Sequence, residues 1–380
     1  MVKINVSLSQ TNEDLSKIDI KKLPKDNQSV ILRLKELSKD VYSRILKRIF
    51  PELSIPIRSL SNVEYDQKEG YFKNLGKTKI KKLNANSVKS FSQMLLLMNQ
   101  AKEIALKNET VSKREAYYNA KSWGDARFKE ENEAFDLLDD MEAMVGFNRE
   151  KLGYIPQNRG GSVAGKLIIE DSGDVIDCTK FGSGAYSIPP RVEELVFKTK
   201  AKFILMLETE ALFSRLHKHK FWESHNCIII AMGGVPTRAT RRFARRLSDS
   251  CKLDVHVFTD GDFYGYMNIY RTLKVGSGNS AHINEFFCVP SAKFLGVTPQ
   301  DIIDYNLPTH PLEPQDIKRG KDAIKNDPFV HNYKEWEKAI NHLIKLGVRA
   351  EQQAFAAQGL NYVLDTYLPN KLKNRKTWLP

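Results

Sequence analysis

Residues 203–262 read FILMLETEALFSRLHKHKFWESHNCIIIAMGGVPTRATRRFARRLSDSCKLDVHVFTDGD, and this stretch decides the architecture. Apolar runs from Phe203 to Leu207, Cys227 to Ala231 and Leu253 to Phe258 have strand length, and the segments between them have helical length. Such alternation is the mark of right-handed βαβ crossovers and a parallel sheet. Each run ends in a polar or glycine-rich cluster: Glu208, then Gly233-Gly234, then Asp260-Gly261-Asp262. In sheets of this kind ligands bind at the carboxyl ends of the strands, where these clusters fall.

The acids come first in that argument. Glu208 at one strand end converges with Asp260 and Asp262 at another if the two strands are neighbours. Carboxylates at short range repel unless a cation sits among them, and all-oxygen ligation favours magnesium or manganese. The D-x-D spacing suits this, because side chains two apart in an extended segment point the same way. A plainer reading stands beside it: Asp262 can N-cap a helix beginning at Phe263, and Glu208 can favour the start of the helix after it.

Between the second and third runs lies PTRATRRFARRL, residues 236–247. At the helical period Arg238, Arg241, Arg242, Arg245 and Arg246 share one arc, and Ala239, Phe243 and Leu247 the other. One face packs. The other, with no acid on it, suits phosphate, so Arg238, Arg241, Arg242 and Arg245 are candidate DNA contacts, with Lys274 further on; a solvated stripe is the alternative.

Upstream, apolar residues recur at helical spacing through Val88, Phe91, Leu95 and Met98, then after the break KNET, and again through Ala134, Leu138, Met141 and Val145. Three short helices followed by two strand-like runs, GYIPQNRGGSVAGKLIIEDSGDVIDC, suggest a helix-turn-helix with a wing, a common way to present side chains to a duplex. The second helix contains KREAYYNAK, where Tyr117 and Tyr118 sit side by side, so one of them can face outward. A free phenol ionises near ~10, so a tyrosine nucleophile needs nearby cations such as Arg114 or a metal ion. Packing is the ordinary role of such a pair.

Two motifs lead nowhere. GGSVAGK, 160–166, has the spacing of a phosphate-binding loop, but Leu167 stands where Ser or Thr is needed and a hairpin pattern follows. His217 and His219 lack zinc-site spacing. At the front, Ile31, Leu34, Leu37, Val41 and Ile45 put apolar side chains on one helix face, as in an extension that docks on something. The turn-rich stretch after Pro51 reads as a connector. Near the end, Trp336, Ile340 and Ile344, then Phe355, Leu360 and Val363, supply apolar helix faces.

The whole chain has 380 residues, enough for two domains and an extension, and Lys and Arg outnumber Asp and Glu by 59 to 46, a balance that permits binding to a polyphosphate. Cys178, Cys227, Cys251 and Cys288 form no C-x-x-C pair and read as free thiols of a reducing compartment. No run reaches the length of a membrane span, so a soluble, intracellular protein is expected.

Taken together, KREAYY, MLETEALFSRL and FTDGDFYGYMNIYRTLKVGS resemble the A subunits of the type IIB (topoisomerase VI) DNA topoisomerases. RSLSNVEYD, REKLG, RGGSVAGKL, AKFLGVTPQDI and RAEQQAF extend the likeness in the same order over nearly the whole chain from about residue 30. The resemblance implies an N-terminal extension over 1–70, a winged-helix domain of catabolite-activator type over 71–158, and a Toprim α/β domain over 159–380, with a linker or wing at 159–190. It implies Tyr118 as nucleophile, Arg114 as its basic neighbour, and Glu208, Asp260 and Asp262 as holders of Mg2+. It further implies double-stranded DNA as substrate, a homodimer of A subunits, and a GHKL-type ATPase B subunit that binds ATP in an A2B2 heterotetramer, with 1–70 as the candidate docking segment. A cytoplasmic, nucleoid-associated protein of an archaeal-type cell is the matching location. Phe263 replaces the proline common after the D-x-D, and Thr209 stands where many members have a basic residue; neither removes a catalytic group. The related meiotic double-strand-break transesterase, a winged-helix regulator without catalysis, and a Toprim hydrolase are the competing readings.

Overall fold

A computed structural model describes residues 18–156 and 159–380. They form two compact units, one from residues before 64 together with 74–158, the other from 64–73 together with 159–380. Most of the expected 1–70 extension belongs to the first unit, and residues 1–17 lie outside the described residues.

The first unit contains α1 (Lys25–Leu46), β1 (Glu52–Pro56), β2 (Thr78–Lys82), α2 (Val88–Lys107), α3 (Lys113–Asn119) and α4 (Glu131–Val145). Helical spacing puts Val30, Ile31 and Leu34 of α1 into one core with Phe91, Met94 and Met98 of α2 and Leu138 and Met141 of α4. Each such side chain, fully removed from water, stabilises the unit by roughly 1.5–3 kcal/mol. Asn27, 3% exposed, fixes the start of α1 by donating to the Ala105 carbonyl and the Asn108 side chain. The apolar face of α1 then runs off this core, leaving Tyr42, Ile45 and Leu46, and beyond the helix Ile49 and Phe50, exposed. β1 and β2 pair antiparallel from Glu52–Lys82 to Pro56–Thr78.

The second unit opens with β3 (Ser162–Gly165), β4 (Leu167–Asp171), β5 (Asp174–Asp177), β6 (Tyr186–Ser187) and β7 (Val196–Thr199). It continues with β8 (Phe203–Leu207), α5 (Glu210–Lys218), α6 (Phe221–Ser224), β9 (Cys227–Ala231), α7 (Arg238–Cys251), β10 (Asp254–Phe258) and β11 (Lys293–Gly296). One sheet has the order β6-β3-β9-β8-β10-β11, in which β9, β8, β10 and β11 are parallel and β3 runs antiparallel to β9. A second, antiparallel sheet has the order β7-β4-β5.

The residues expected as a wing on the helical module therefore build sheets of the second unit instead. LIIEDSGDVI is a hairpin, as its pattern predicts, and the preceding glycines serve a close approach. A Cβ on Gly161 would lie 1.7 Å from the Ala231 carbonyl oxygen, so GGSVAGK packs against the sheet and has no room to act as a phosphate loop. Trp336, Ile340 and Leu343 of the helix Lys334–Leu346 are buried, whereas Leu360 is exposed. Cys178, Cys227 and Cys288 are buried and Cys251 half-buried, all as free thiols.

Candidate active site

In the parallel part of the sheet the chain starts at β8, crosses to β9 on one side, and returns over it to β10 on the other. Connections leaving in opposite directions open a crevice at the carboxyl ends of β8 and β10, the topological switch point. Leu207 pairs with Phe258, so Glu208 and the Asp260–Asp262 segment emerge at the same edge. The ladder continues through Glu208 N–H donating to the Phe258 carbonyl at 3.1 Å, and Asp260 N–H donates to Glu208 Oε2 at 2.9 Å. Glu208 and Asp260 are thus tied together at one edge of the sheet.

Asp262 has the capping role read from the sequence. Its Oδ1 accepts from Gly265 N–H at 2.6 Å, capping the turn that leads into the π-helical segment Gly265–Tyr270. The helix after Glu208 is capped instead by Thr209.

Burial, followed by the charge of Asp260, pushes Glu208 up to about 7. Asp260 is pushed up to about 6, by burial first and by Asp262 and Glu351 after it, against the Gln352 N–H that it accepts. Burial also raises Asp262, opposed by the Gly265 N–H and by Arg349. Carboxyls that hold each other's charge in check in this way are what a divalent cation relieves.

Among the described residues no three His, Cys, Asp or Glu side chains already converge closely enough to hold an ion alone. Magnesium does not require that, since it keeps several waters and is commonly held by one or two carboxylates plus phosphate oxygens. Glu208 and Asp260, hard oxygen donors bound across one strand pair, fit that mode.

In the first unit, Tyr118 lies on α3, whose start is fixed by a reciprocal capping box between Ser112 and Glu115. The two neighbouring tyrosines divide as the helix requires. Tyr117 is 7% exposed and its hydroxyl points to the Lys129 carbonyl at 3.4 Å, while Tyr118 is 60% exposed. Their rings meet edge to face at 5.4 Å, so the buried ring props the exposed one. Tyr118, Arg114, Ser112 and Glu115 line an open hollow. Arg114 is paired with Glu131 at 3.2 Å, on the first turn of α4, and a phosphate entering the hollow must compete with that exposed carboxylate.

The arginine helix departs from expectation. Arg242 pairs with the buried Glu193 at 3.1 Å and donates to the Phe286 carbonyl at 3.0 Å. Arg245 pairs with Asp249 at 2.5 Å and donates to the Cys288 carbonyl. Arg246 donates to the carbonyls of Val192 and Leu195. Arg238 and Arg241 lie over the Phe287 ring, at 4.6 Å and 5.6 Å from its centroid. Acids absent from the arc in the sequence are supplied by the next helical turn and by a distant segment. Arg242 and Arg245 thus clamp two loops against α7, their guanidinium groups already engaged, unlike the free basic face expected of DNA contacts.

Lys274 is corrected more sharply. It is 1% exposed, its ammonium donates to the carbonyls of Pro290 and Ala292 at 2.6 and 2.8 Å, and burial pushes it down to about 7. A side chain so enclosed does not reach a duplex. His217 is also internal, between Gly182 O and the Trp222 indole N–H, and not on the surface as its basic neighbours suggest.

Sequence reasoning gave no role to the segment Arg349–Gln352, which lies against the acids. Gln352 N–H donates to Asp260 Oδ1 at 2.8 Å. The signal lay in RAEQQAF, a polar cluster amid helical faces, but no spacing rule connects it to a strand end some 90 residues earlier.

The chain is similar to known proteins over about nine-tenths of its length. Residues 203–372 match the family model for the Toprim domain of the topoisomerase 6 A subunit and Spo11. Residues 157–201 match the all-beta domain in the DNA topoisomerase VI alpha chain, and residues 89–153 match Type IIB DNA topoisomerase. The A subunit of the Type 2 DNA topoisomerase 6 of Methanocaldococcus jannaschii is 50% identical over 91% of this chain and 95% of that protein. Proteins of the same name from Methanothermobacter thermautotrophicus and Methanosarcina barkeri are 33% and 35% identical over 90% of this chain, covering 97% and 94% of their own lengths. Among the described residues no helix is long and apolar enough to cross a membrane. With strand-end acids on a Toprim sheet and kinship along nine-tenths of its length, the chain belongs to the family of topoisomerase VI A subunits, the DNA-cleaving subunits of type IIB DNA topoisomerases.

Proposed function

We propose that Tyr118 is the nucleophile of a magnesium-dependent transesterification that cuts both strands of DNA and rejoins them. The phenolic oxygen attacks a backbone phosphorus, the bond from phosphorus to the 3′ oxygen breaks, and that oxygen leaves as a 3′ hydroxyl. The protein is then joined to the 5′ end. Attack by the 3′ hydroxyl reverses the step, so resealing requires no ATP. Arg114 exchanges Glu131 for the phosphate, and Glu208 and Asp260, with Asp262, hold magnesium. When bound, the ion offsets charge on the phosphate and the leaving oxygen.

Residues 71–158 are read as the winged-helix module of catabolite-activator type that presents Tyr118. Of the cations proposed from the sequence, Arg238 and Arg241 at the start of α7 keep the role of DNA contacts. Two A subunits form a dimer in which the tyrosine of one protomer meets the acids of the other. A GHKL-type ATPase B subunit completes an A2B2 assembly and binds the ATP that drives strand passage. The exposed Tyr42, Ile45, Leu46, Ile49 and Phe50 at the end of α1 are its proposed docking surface.

The exposure of Tyr118 beside a buried Tyr117 is the observation that carries the assignment. The test uses supercoiled DNA, magnesium, ATP and the B subunit, with detergent added to trap protein on DNA. Wild type and Tyr117→Phe are expected on 5′ ends, and Tyr118→Phe is expected to lose trapping altogether. Equal trapping by Tyr118→Phe overturns the nucleophile assignment, and product cut without attached protein points to hydrolysis.

A further inference from the structure

The segment 349–352 runs antiparallel to Asp260–Asp262 through a bridge between Gly261 and Ala350, with Gly261 N–H donating to Ala350 O at 2.8 Å. That register sets Glu351 opposite Asp260 and Arg349 opposite Asp262. Gln352 follows, 2% exposed. Its backbone N–H holds Asp260 Oδ1 at 2.8 Å, its side-chain NH2 donates to the Phe258 carbonyl at 2.9 Å, and its Oε1 accepts from the Thr209 hydroxyl at 3.4 Å. The Phe258 carbonyl also accepts from Glu208 N–H, and Glu208 Oε2 accepts from Asp260 N–H. Glu208, Asp260 and Gln352 are therefore members of one closed hydrogen-bonded ring.

On its other side Gln352 borders a small cavity lined by Leu212, Phe355 and Val363. Filling space there calls for an apolar side chain. A buried amide is kept in such a place only when its bonds are made, and these bonds tie the segment to the ends of β8 and β10.

We infer that Gln352 is a positioning residue of the acid site, anchoring its own N–H on one oxygen of Asp260 and leaving the second oxygen, with Glu208, for a divalent cation. The inference rests on the reading of Glu208 and Asp260 as metal-holding residues. Groups that orient ligating carboxylates typically govern metal affinity by about 10- to 100-fold.

The test is direct binding of Mn2+ to the full chain without DNA, measured by isothermal titration calorimetry, for wild type, Gln352→Met and Glu208→Ala. Gln352→Met keeps the volume and removes the amide. About a tenfold or greater loss of Mn2+ affinity is expected, with a cooperative metal-free unfolding transition retained and the affinity for DNA in EDTA unchanged. Mn2+ affinity within twofold of wild type in Gln352→Met overturns the inference. Should Gln352→Met fail to fold, Gln352→Asn, one methylene too short to span from the segment to Phe258, carries the same expectation and the same contrary result. Glu208→Ala separates the two levels: wild-type affinity there removes the metal reading itself, whereas loss there with none in Gln352→Met removes the positioning role alone.

Discussion

Glu208 stands one peptide beyond a strand whose last four side chains are buried, and it is itself 9% exposed. Its charge is therefore held at a cost, which appears as a carboxyl raised to about 7, with Asp260 raised to about 6 behind it. The sign of the linkage follows. A carboxyl raised on folding binds its proton more tightly in the folded state, so its contribution is complete below the unfolded value and is lost as pH rises through about 7. In EDTA, the urea midpoint of the wild-type protein is expected to fall between pH 5 and pH 8, at a slope of up to ~1.4 kcal/mol per pH unit for each such group. Glu208→Gln removes one of these charges, so its midpoint falls less and lies above that of wild type at pH 8. Magnesium then restores the wild-type midpoint at pH 8 but not that of Glu208→Gln. Equal pH slopes for the two proteins would contradict this account of the site.

At the scale of elements, α7 shows what periodicity resolves and what it does not. The arc of arginines and the packed face of Ala239, Phe243 and Leu247 are both real. Apart from Asp249, one turn further along the helix, the partners of the arginines are carbonyls of 192–195 and 286–288 and the carboxylate of Glu193, brought in by the tertiary fold. A helix wheel cannot display those groups. Strand ends fared better, because alternating strands and helices fix where a parallel sheet ends, and the placing of Glu208 and Asp260 at neighbouring strand ends was legible by that logic. Gln352 was not, since the bridge between Gly261 and Ala350 is set by a long excursion of chain with no local signature.

The roles of Arg242 and Lys274 separate in one experiment. A residue on a DNA phosphate lowers the slope of log affinity against log salt by about 1 when removed. Arg242→Ala and Lys274→Met are expected to leave that slope as in wild type. Arg242→Ala also removes the cation paired with Glu193, whose side chain is 3% exposed, and is expected to lower stability by ~3–5 kcal/mol in urea unfolding. A reduced salt slope with unchanged stability in either variant would return that residue to the DNA surface.

At the scale of the molecule, the chain divides into two units near 159, where helices give way to strands, and the second unit also takes in 64–73. The apolar stripe of α1 reads equally well as a docking face for another chain and as part of the core of its own unit. Its first half proves to be core, while its far end is exposed. The proposed chemistry adds a requirement that neither unit meets alone, because Tyr118 belongs to one and Glu208, Asp260 and Asp262 to the other. If each site joins the tyrosine of one protomer to the acids of its partner, two inactive proteins can repair each other. Tyr118→Phe retains the acids, Glu208→Ala retains the tyrosine, and each homodimer is expected to form no covalent complex with DNA. Mixed and allowed to exchange protomers, they form heterodimers with one complete site and one that lacks both groups. The expected product is a nicked circle with protein on one 5′ end, formed only in the mixture and without double-strand breaks. If tyrosine and acids act within one protomer, neither site of the heterodimer is complete and the mixture is as inactive as its parts, so the appearance or absence of the nick decides between the two arrangements.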